Sequence, residues 1–188
     1  MDFVGFRPLF DIIEEKIANG ERTVLAIDGA AASGKTTLAA FLAQKYGAEV
    51  VHMDDFFLPR ERKTKERLAE PDGNIDRERF SAEVLPFINS CAPFSYGKYD
   101  CSCGRVTENV QIGSTPLVIV EGVYSLSPYF TEHYDIKIML TVEKKAQLLR
   151  LRERCEDWQY ESFLNIWLPL EAKYFEANPV FAQCDMVF

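Results

Sequence analysis

Gly29-Ala30-Ala31-Ala32-Ser33-Gly34-Lys35-Thr36 matches G-x-x-x-x-G-K-[ST] at every fixed position. Its flanks decide the fold. Residues 23–27, TVLAI, form an apolar run that ends at Asp28-Gly29, and residues 35–46 are rich in alanine and leucine until Gly47. This order predicts a strand, a glycine-rich turn and a helix. The glycines let the backbone wrap an anion with successive N–H groups pointing inward, and the helix amino terminus adds a favourable dipole. Lys35 then reaches the β- and γ-phosphates and the Thr36 hydroxyl ligates Mg2+. Gly29 through Thr37 are therefore expected to hold a nucleoside triphosphate. The Asn-Lys-x-Asp guanine-reading segment expected of a GTP-specific switch protein does not occur.

Working outward, apolar positions at Phe10, Ile13 and Ile17, broken by Asn19-Gly20, predict an amphipathic first helix. Val50, Val51 and Met53 predict a second strand. Residues 117–120 form a third, continuously apolar as a strand buried on both faces must be. Residues 136–140 and 186–188 give a fourth and a fifth, and helical patterns cover 143–156 and 159–177. Strands separated by helices predict an α/β fold with a parallel sheet flanked by helices on both faces. Two stretches interrupt the alternation. Residues 60–70, RERKTKERLAE, read as an exposed helix or mobile loop with a solvated face. Residues 93–110 carry Gly97 and Gly104 between short segments and read as an inserted β-hairpin.

The 188 residues suit one domain, 1–188, with no repeat or linker at which to divide it. Apolar residues at 47% and charged residues at 27% exclude disordered and fibrous classes. A net charge of −8 argues against a nucleic-acid or anionic-membrane partner. No apolar run approaches the roughly 20 residues of a membrane span, and MDFVGFRPLF lacks the features of a signal peptide. A cytoplasmic location is the resulting expectation. Five scattered cysteines read as reduced thiols, and Cys101-x-Cys103, with His52 and His133 far away in sequence, is a poor zinc pattern. An oligomer is compatible with the sequence but not derivable from it.

Whether the γ-phosphate passes to water or to another molecule rests on the remaining motifs. VIVEG, 118–122, sets Glu121 at the carboxyl end of a buried strand, either as an anchor for Mg2+ or as a cap for the segment that follows. Asp54-Asp55 ends the second strand. A carboxylate there can accept a proton from an acceptor hydroxyl and help place the metal, although an Asx-turn would use the same residues. Arg150, Arg152 and Arg154 alternate along one helix, so all three can meet a single ligand only if that helix ends or distorts.

In their order, the phosphate loop, MDDFFLP, Asn74-Ile75-Asp76, Tyr99-Asp100, VIVEG, the arginine cluster and WLPLEAKYFEA resemble the uridine kinase and phosphoribulokinase group of P-loop kinases, and most closely its small bacterial uridine-kinase-like members. The resemblance runs from about residue 24 to the end. It implies the P-loop NTPase fold with a small lid at 143–157, an acceptor-binding region at 54–110 and a hairpin insertion. It implies a phosphotransferase acting on an alcohol group with ATP and Mg2+. Lys35, Asp54, Arg150 and Arg154 would be catalytic, with Asp54 as base. Thr36, Glu121 and Asp54 would serve the metal, and Asp54, Asp76 and Tyr99 the acceptor, for which uridine or cytidine is the first expectation. Two departures bear on that acceptor: Asp100 is followed by Cys-Ser-Cys-Gly without the usual histidine, and the lid is short. Pantothenate or another sugar or vitamin alcohol is the alternative acceptor, and a P-loop nucleotide-binding regulator the alternative class.

Overall fold

The computed structural model describes residues 3–188. After a short 3-10 turn, α1 (Arg7–Ala18) starts with Pro8 in its first turn, where a missing N–H is harmless, and buries Leu9, Phe10 and Ile13. Next come β1 (Thr23–Gly29), α2 (Lys35–Tyr46) and β2 (Glu49–His52), then a 3-10 turn at Met53–Phe56 and another at Arg60–Arg62. The short helices α3 (Lys65–Ala69), α4 (Arg77–Glu83) and α5 (Leu85–Ile88) lead into β3 (Phe94–Asp100) and β4 (Arg105–Ile112). The chain continues through β5 (Leu117–Glu121), β6 (Ile136–Leu140), α6 (Lys144–Arg154) and α7 (Asp157–Ser162). It ends with α8 (Leu168–Ala177), α9 (Val180–Gln183) and β7 (Met186–Val187).

The five strands of the main sheet run in the order β2-β5-β1-β6-β7, every pair parallel. All residues of β1 and β5 are buried, as the continuous apolar runs require. Side chains alternate across the pleat, so Leu25 and Ile27 join Leu117, Ile119, Ile136 and Ile138 in a core closed by α1 and α2. Val24 and Ala26 face the opposite core with Val118 and Val120, covered by Phe80 of α4 and Tyr174 of α8. Each fully buried Leu, Ile or Val is worth about 1.5–3 kcal/mol of transfer free energy, so the two cores fix the plane from which the loops at the carboxyl ends of the strands project. The expected parallel sheet flanked on both faces is thus the observed one, and β3 and β4 form the expected antiparallel hairpin. Among the described residues no helix is long and apolar enough to cross a membrane.

Three local expectations need correction. Residues 60–70 are mostly exposed and include the short helix α3, as expected, but two of the arginines are paired rather than freely solvated: Arg62 pairs with Asp76 at 2.6 Å and Glu78 at 3.1 Å, and Arg67 pairs with Glu78 at 2.9 Å. Partners 11 to 16 residues further on turn the charge run into a bracket against the start of α4. The helix expected at 143–156 stops at Arg154, because Cys155 is extended and Glu156 opens α7 in a capping box with Gln159. The helix expected at 159–177 is interrupted by a π-helical segment at Phe163–Trp167, closed by the Leu168 N–H on the Phe163 carbonyl. Pro169 follows immediately; it has no N–H for the carbonyl four residues back, and the wider turn accommodates that loss.

Candidate active site

The phosphate loop joins β1 to α2 through two glycines in conformations closed to other residues. Gly29 has φ 146°, and a Cβ there would collide with the Leu140 carbonyl; Gly34 caps α2 with φ 106°. Beneath the loop, buried Asp28 accepts hydrogen bonds from the N–H groups of Gly29 (2.6 Å) and Leu126 (2.9 Å) and from the Tyr174 hydroxyl (2.8 Å). Burial outweighs those donors and pushes its carboxyl up to about 6. The Lys35 amine turns back onto the loop and donates to the carbonyls of Gly29 (2.8 Å) and Ala30 (3.0 Å).

From above, α6 and α8 hold the same loop. Glu171 accepts the Ala31 N–H at 2.8 Å and the Gln147 amide at 3.1 Å, while Gln147 also donates to the Ala31 carbonyl at 3.0 Å. Burial raises the Glu171 carboxyl. Neither residue was singled out from the sequence, although Glu171 lies within WLPLEAKYFEA.

At the carboxyl ends of β5 and β2, Thr36 Oγ1 lies 3.2 and 3.3 Å from the two carboxylate oxygens of Glu121, and His52 Nδ1 lies 2.6 Å from Oε1 of the same group. The hydrogen bond to the Glu121 carboxylate raises the His52 ring, the residue here that sequence reading passed over except as a remote metal ligand. Asp54 and Asp55 diverge on the 3-10 turn after β2. Asp55 is buried and accepts the Tyr96 hydroxyl at 3.0 Å. Asp54 instead opens to the cleft. Enclosure by protein on its other sides, then the nearby Glu121 charge, lift its carboxyl above the usual range despite Lys35.

The phosphate loop, Thr36, Glu121 and Asp54 open onto one cleft of about 1190 Å³. Ala31, Ala32, Gly34, Lys35, Thr36, Thr37, Asp54, Glu121, Arg150 and Arg154 line it. Gly29, Ala30 and Ser33 lie behind that surface. Arg150 donates to the Ala32 carbonyl at 2.9 Å and Arg154 stacks on Phe163, whereas Arg152 pairs with Asp157 at 2.7 Å and does not line the cleft. Two of the three arginines meet there because they are four positions apart on one helix face. Asp76 and Tyr99 do not line it. Asp76 caps α4 through the Arg79 N–H at 3.2 Å and is held by Arg62, and Tyr99 is buried in the hairpin. Unforeseen lining residues include Trp158 and Trp167 on the wall around the π-helical segment, and Phe57, Arg60, Asn74 and Cys101 opposite.

The oxygen donors of Thr36, Glu121 and Asp54 fit a hard cation. Among the described residues no three His, Cys, Asp or Glu side chains could hold a metal ion by themselves. Mg2+ completed by one or two carboxylates, phosphate oxygens and water needs no such group.

No family model matches the chain, and no curated protein matches it. Solved structures do. The chain is similar to a possible uridine kinase from Bacillus stearothermophilus at 22% identity and TM-score 0.68, over 96% of this chain and 99% of that one. It is also similar to a candidate fructose transport system kinase from Silicibacter at 26% identity and TM-score 0.62, over 89% and 90%. A D-glycerate 3-kinase from Cryptococcus neoformans gives 14% identity and TM-score 0.62, over 91% and 88%. The fold is the one expected from the motif order, that of the uridine-kinase-like P-loop proteins.

Proposed function

We propose that the protein is a kinase that transfers the γ-phosphate of ATP to a hydroxyl of a small metabolite, within one domain whose 54–110 region receives the acceptor and whose 143–157 segment acts as the lid. The observation that carries this reading is Asp54, an open carboxylate in the same cleft as the P-loop, Lys35 and two arginines. A nucleotide-binding regulator has no need of such a group. The neighbours named as kinases of uridine, of a fructose transport system and of D-glycerate support an alcohol acceptor without selecting one. Uridine or cytidine was the first expectation, but the two side chains it rested on, Asp76 and Tyr99, stand outside the cleft. A sugar or vitamin alcohol suits the lining equally well on that ground.

In this reading an acceptor hydroxyl lies against Asp54, which takes its proton as the acceptor oxygen bonds to Pγ and the bond from Pγ to the β,γ-bridging oxygen breaks, releasing ADP. Lys35 and the loop N–H groups hold the β- and γ-phosphates. Thr36, Glu121 and Asp54 are the residues that would hold Mg2+, which supplies neutralisation of phosphate charge when bound. Arg150 and Arg154 stabilise charge that develops on the transferred group, and closure of their helix end excludes water. Acceptor-dependent release of ADP by the purified protein tests the proposal. Transfer predicts that a small hydroxyl compound accelerates release over the basal rate and gains phosphate, whereas ATP consumption indifferent to every acceptor would sink it.

The arginines give a sharper expectation. Arg150→Met and Arg154→Met should each lower kcat by about 10² or more, the cost of removing one charge-stabilising donor. Arg152→Met should leave turnover near that of the parent, since exposed ion pairs such as Arg152–Asp157 are worth about 0–1 kcal/mol. Steady-state rates and melting curves of the three variants check this. Equal rates for all three would take the arginines out of the chemistry.

A further inference from the structure

Residues 60–79 hold five arginines. Four have carboxylate partners: Arg62 with Asp76 and Glu78, Arg67 with Glu78, Arg77 with Asp72 at 2.9 Å, and Arg79 with Glu83 at 3.2 Å. Arg60 has none among the described residues, and its guanidinium makes no hydrogen bond there. In a chain with eight more acidic than basic side chains, this is not for want of carboxylates. Arg60 lines the cleft beside Phe57, Cys101 and Ser102, across from the phosphate loop. Lys63, also without a carboxylate partner, sits behind it with its amine 5.9 Å from the Phe57 ring centre. Burial, and then Arg60 itself, lower the Lys63 amine, as two uncompensated cations in one place must.

Asn74 supplies a second, independent observation. It lines the same wall and is only 5% exposed, yet its side-chain amide has no hydrogen-bond partner among the described residues. Its backbone is fully used, since the Asn74 carbonyl accepts the Leu58 N–H at 2.9 Å. A nearly buried amide facing an open cleft is normally satisfied by what the cleft holds. Sign also matters. Of the lining side chains, Asp54 and Glu121 at the ends of β2 and β5 repel an anion, whereas Arg60, with Asn74 and the neutral Phe57 and Ser102, favours one. An acceptor whose hydroxyl meets Asp54 is thus polarised across its length, with any negative group favoured at the outer wall.

Resting on the kinase reading above, we propose that the acceptor bears an anionic group, a carboxylate or a phosphate, which Arg60 grips together with the Asn74 amide. Arg60 then sets specificity and takes no part in the proton transfer. Guanidinium is suited to the task because its planar fork matches either oxyanion with two parallel hydrogen bonds.

The chain has two tryptophans, and both line the cleft, so intrinsic fluorescence reports occupancy. Protein loaded with Mg2+ and a non-hydrolysable ATP analogue is titrated with matched probes: D-glycerate against glycerol for the carboxylate arm, ribose 5-phosphate against ribose for the phosphate arm, and uridine as a neutral nucleoside. Protection of Cys101, a free thiol on the same wall, from alkylation is the second readout. The charged member of at least one pair should bind about tenfold or more tightly than its neutral partner, a preference lost in Arg60→Gln and weakened by salt. The melting transition shows that the variant is folded. Equal binding within both pairs, no binding of any probe at millimolar concentration, tighter binding of uridine than of either anion, or an undiminished preference in Arg60→Gln would each overturn the proposal. Failure of the ATP analogue to change the fluorescence would instead count against the kinase reading.

Discussion

Asp54→Asn is expected to lower kcat by about 10² to 10⁴, the usual contribution of a positioned general base, with a much smaller change in ATP affinity. The amide keeps the shape of the carboxylate but cannot take the proton of the acceptor hydroxyl. Asp54 opens to the cleft and makes no hydrogen bond to protein among the described residues, so the substitution leaves no neighbour unpaired and the fold should be unaffected. The pH profile gives a second signature. The base acts only when ionised, and enclosure together with Glu121, and to a smaller degree Asp55, lifts the carboxyl above its ordinary value, while Lys35 and His52 pull it down. The net direction is upward, so kcat should rise with pH through a limb above the usual carboxylate range, and that limb should vanish in Asp54→Asn. Rates measured across pH with saturating ATP check both points. A parent-like rate in Asp54→Asn would remove the base from the mechanism.

Asp55 is the built-in comparison. It is buried, accepts the Tyr96 hydroxyl, and has its backbone carbonyl held by Arg79 at 2.8 Å, so it ties the turn after β2 to the hairpin. Its replacement should register mainly in stability. The two neighbours in Asp54-Asp55 look interchangeable as letters; the 3-10 turn separates them by sending one side chain to the cleft and the other to the core. That separation appears only once the turn is built.

The same distinction explains what was legible in the sequence. Gly29 and Gly34 are demanded by local backbone angles, and β1 and β5 by burial on both faces, so motif and apolar run reveal them without knowledge of the fold. Glu121 is readable because it stands at the end of such a run. Glu171 and Gln147 meet the phosphate loop from 140 and 116 residues away, and no spacing rule connects them to Ala31. Arg60 and Arg62 illustrate the limit most plainly. In RERKTKERLAE they are equivalent members of a charge run, but Asp76 and Glu78 neutralise one and leave the other facing the cleft, a difference fixed by where α4 begins. Asp76 looked like an acceptor ligand by motif position; its place at the amino end of α4 commits the carboxylate to a cap and an ion pair.

Lys35→Ala should remove most turnover, by about 10² to 10³ or more, the scale set by losing one preorganised donor to developing charge. The geometry explains why the loss should be large. An ammonium has three protons, and two already go to the carbonyls of Gly29 and Ala30, which fixes the amine under the loop and leaves the third for phosphate oxygens. The side chain is also buried to within 7% of its full exposure, so alanine removes a packed stem as well as a charge. Lys35→Met separates the two, keeping the stem and discarding the amine. If the role is electrostatic, both variants lose turnover alike while methionine retains more of the melting temperature; for a chain of this size each 1 kcal/mol corresponds to roughly 2–4 °C. The loop keeps its other holds, on Asp28 through the Gly29 N–H and on Glu171 and Gln147 through Ala31, so neither variant should unfold. Parent-like turnover in folded Lys35→Met would mean that the phosphates do not rest on this loop and would sink the kinase reading at its base.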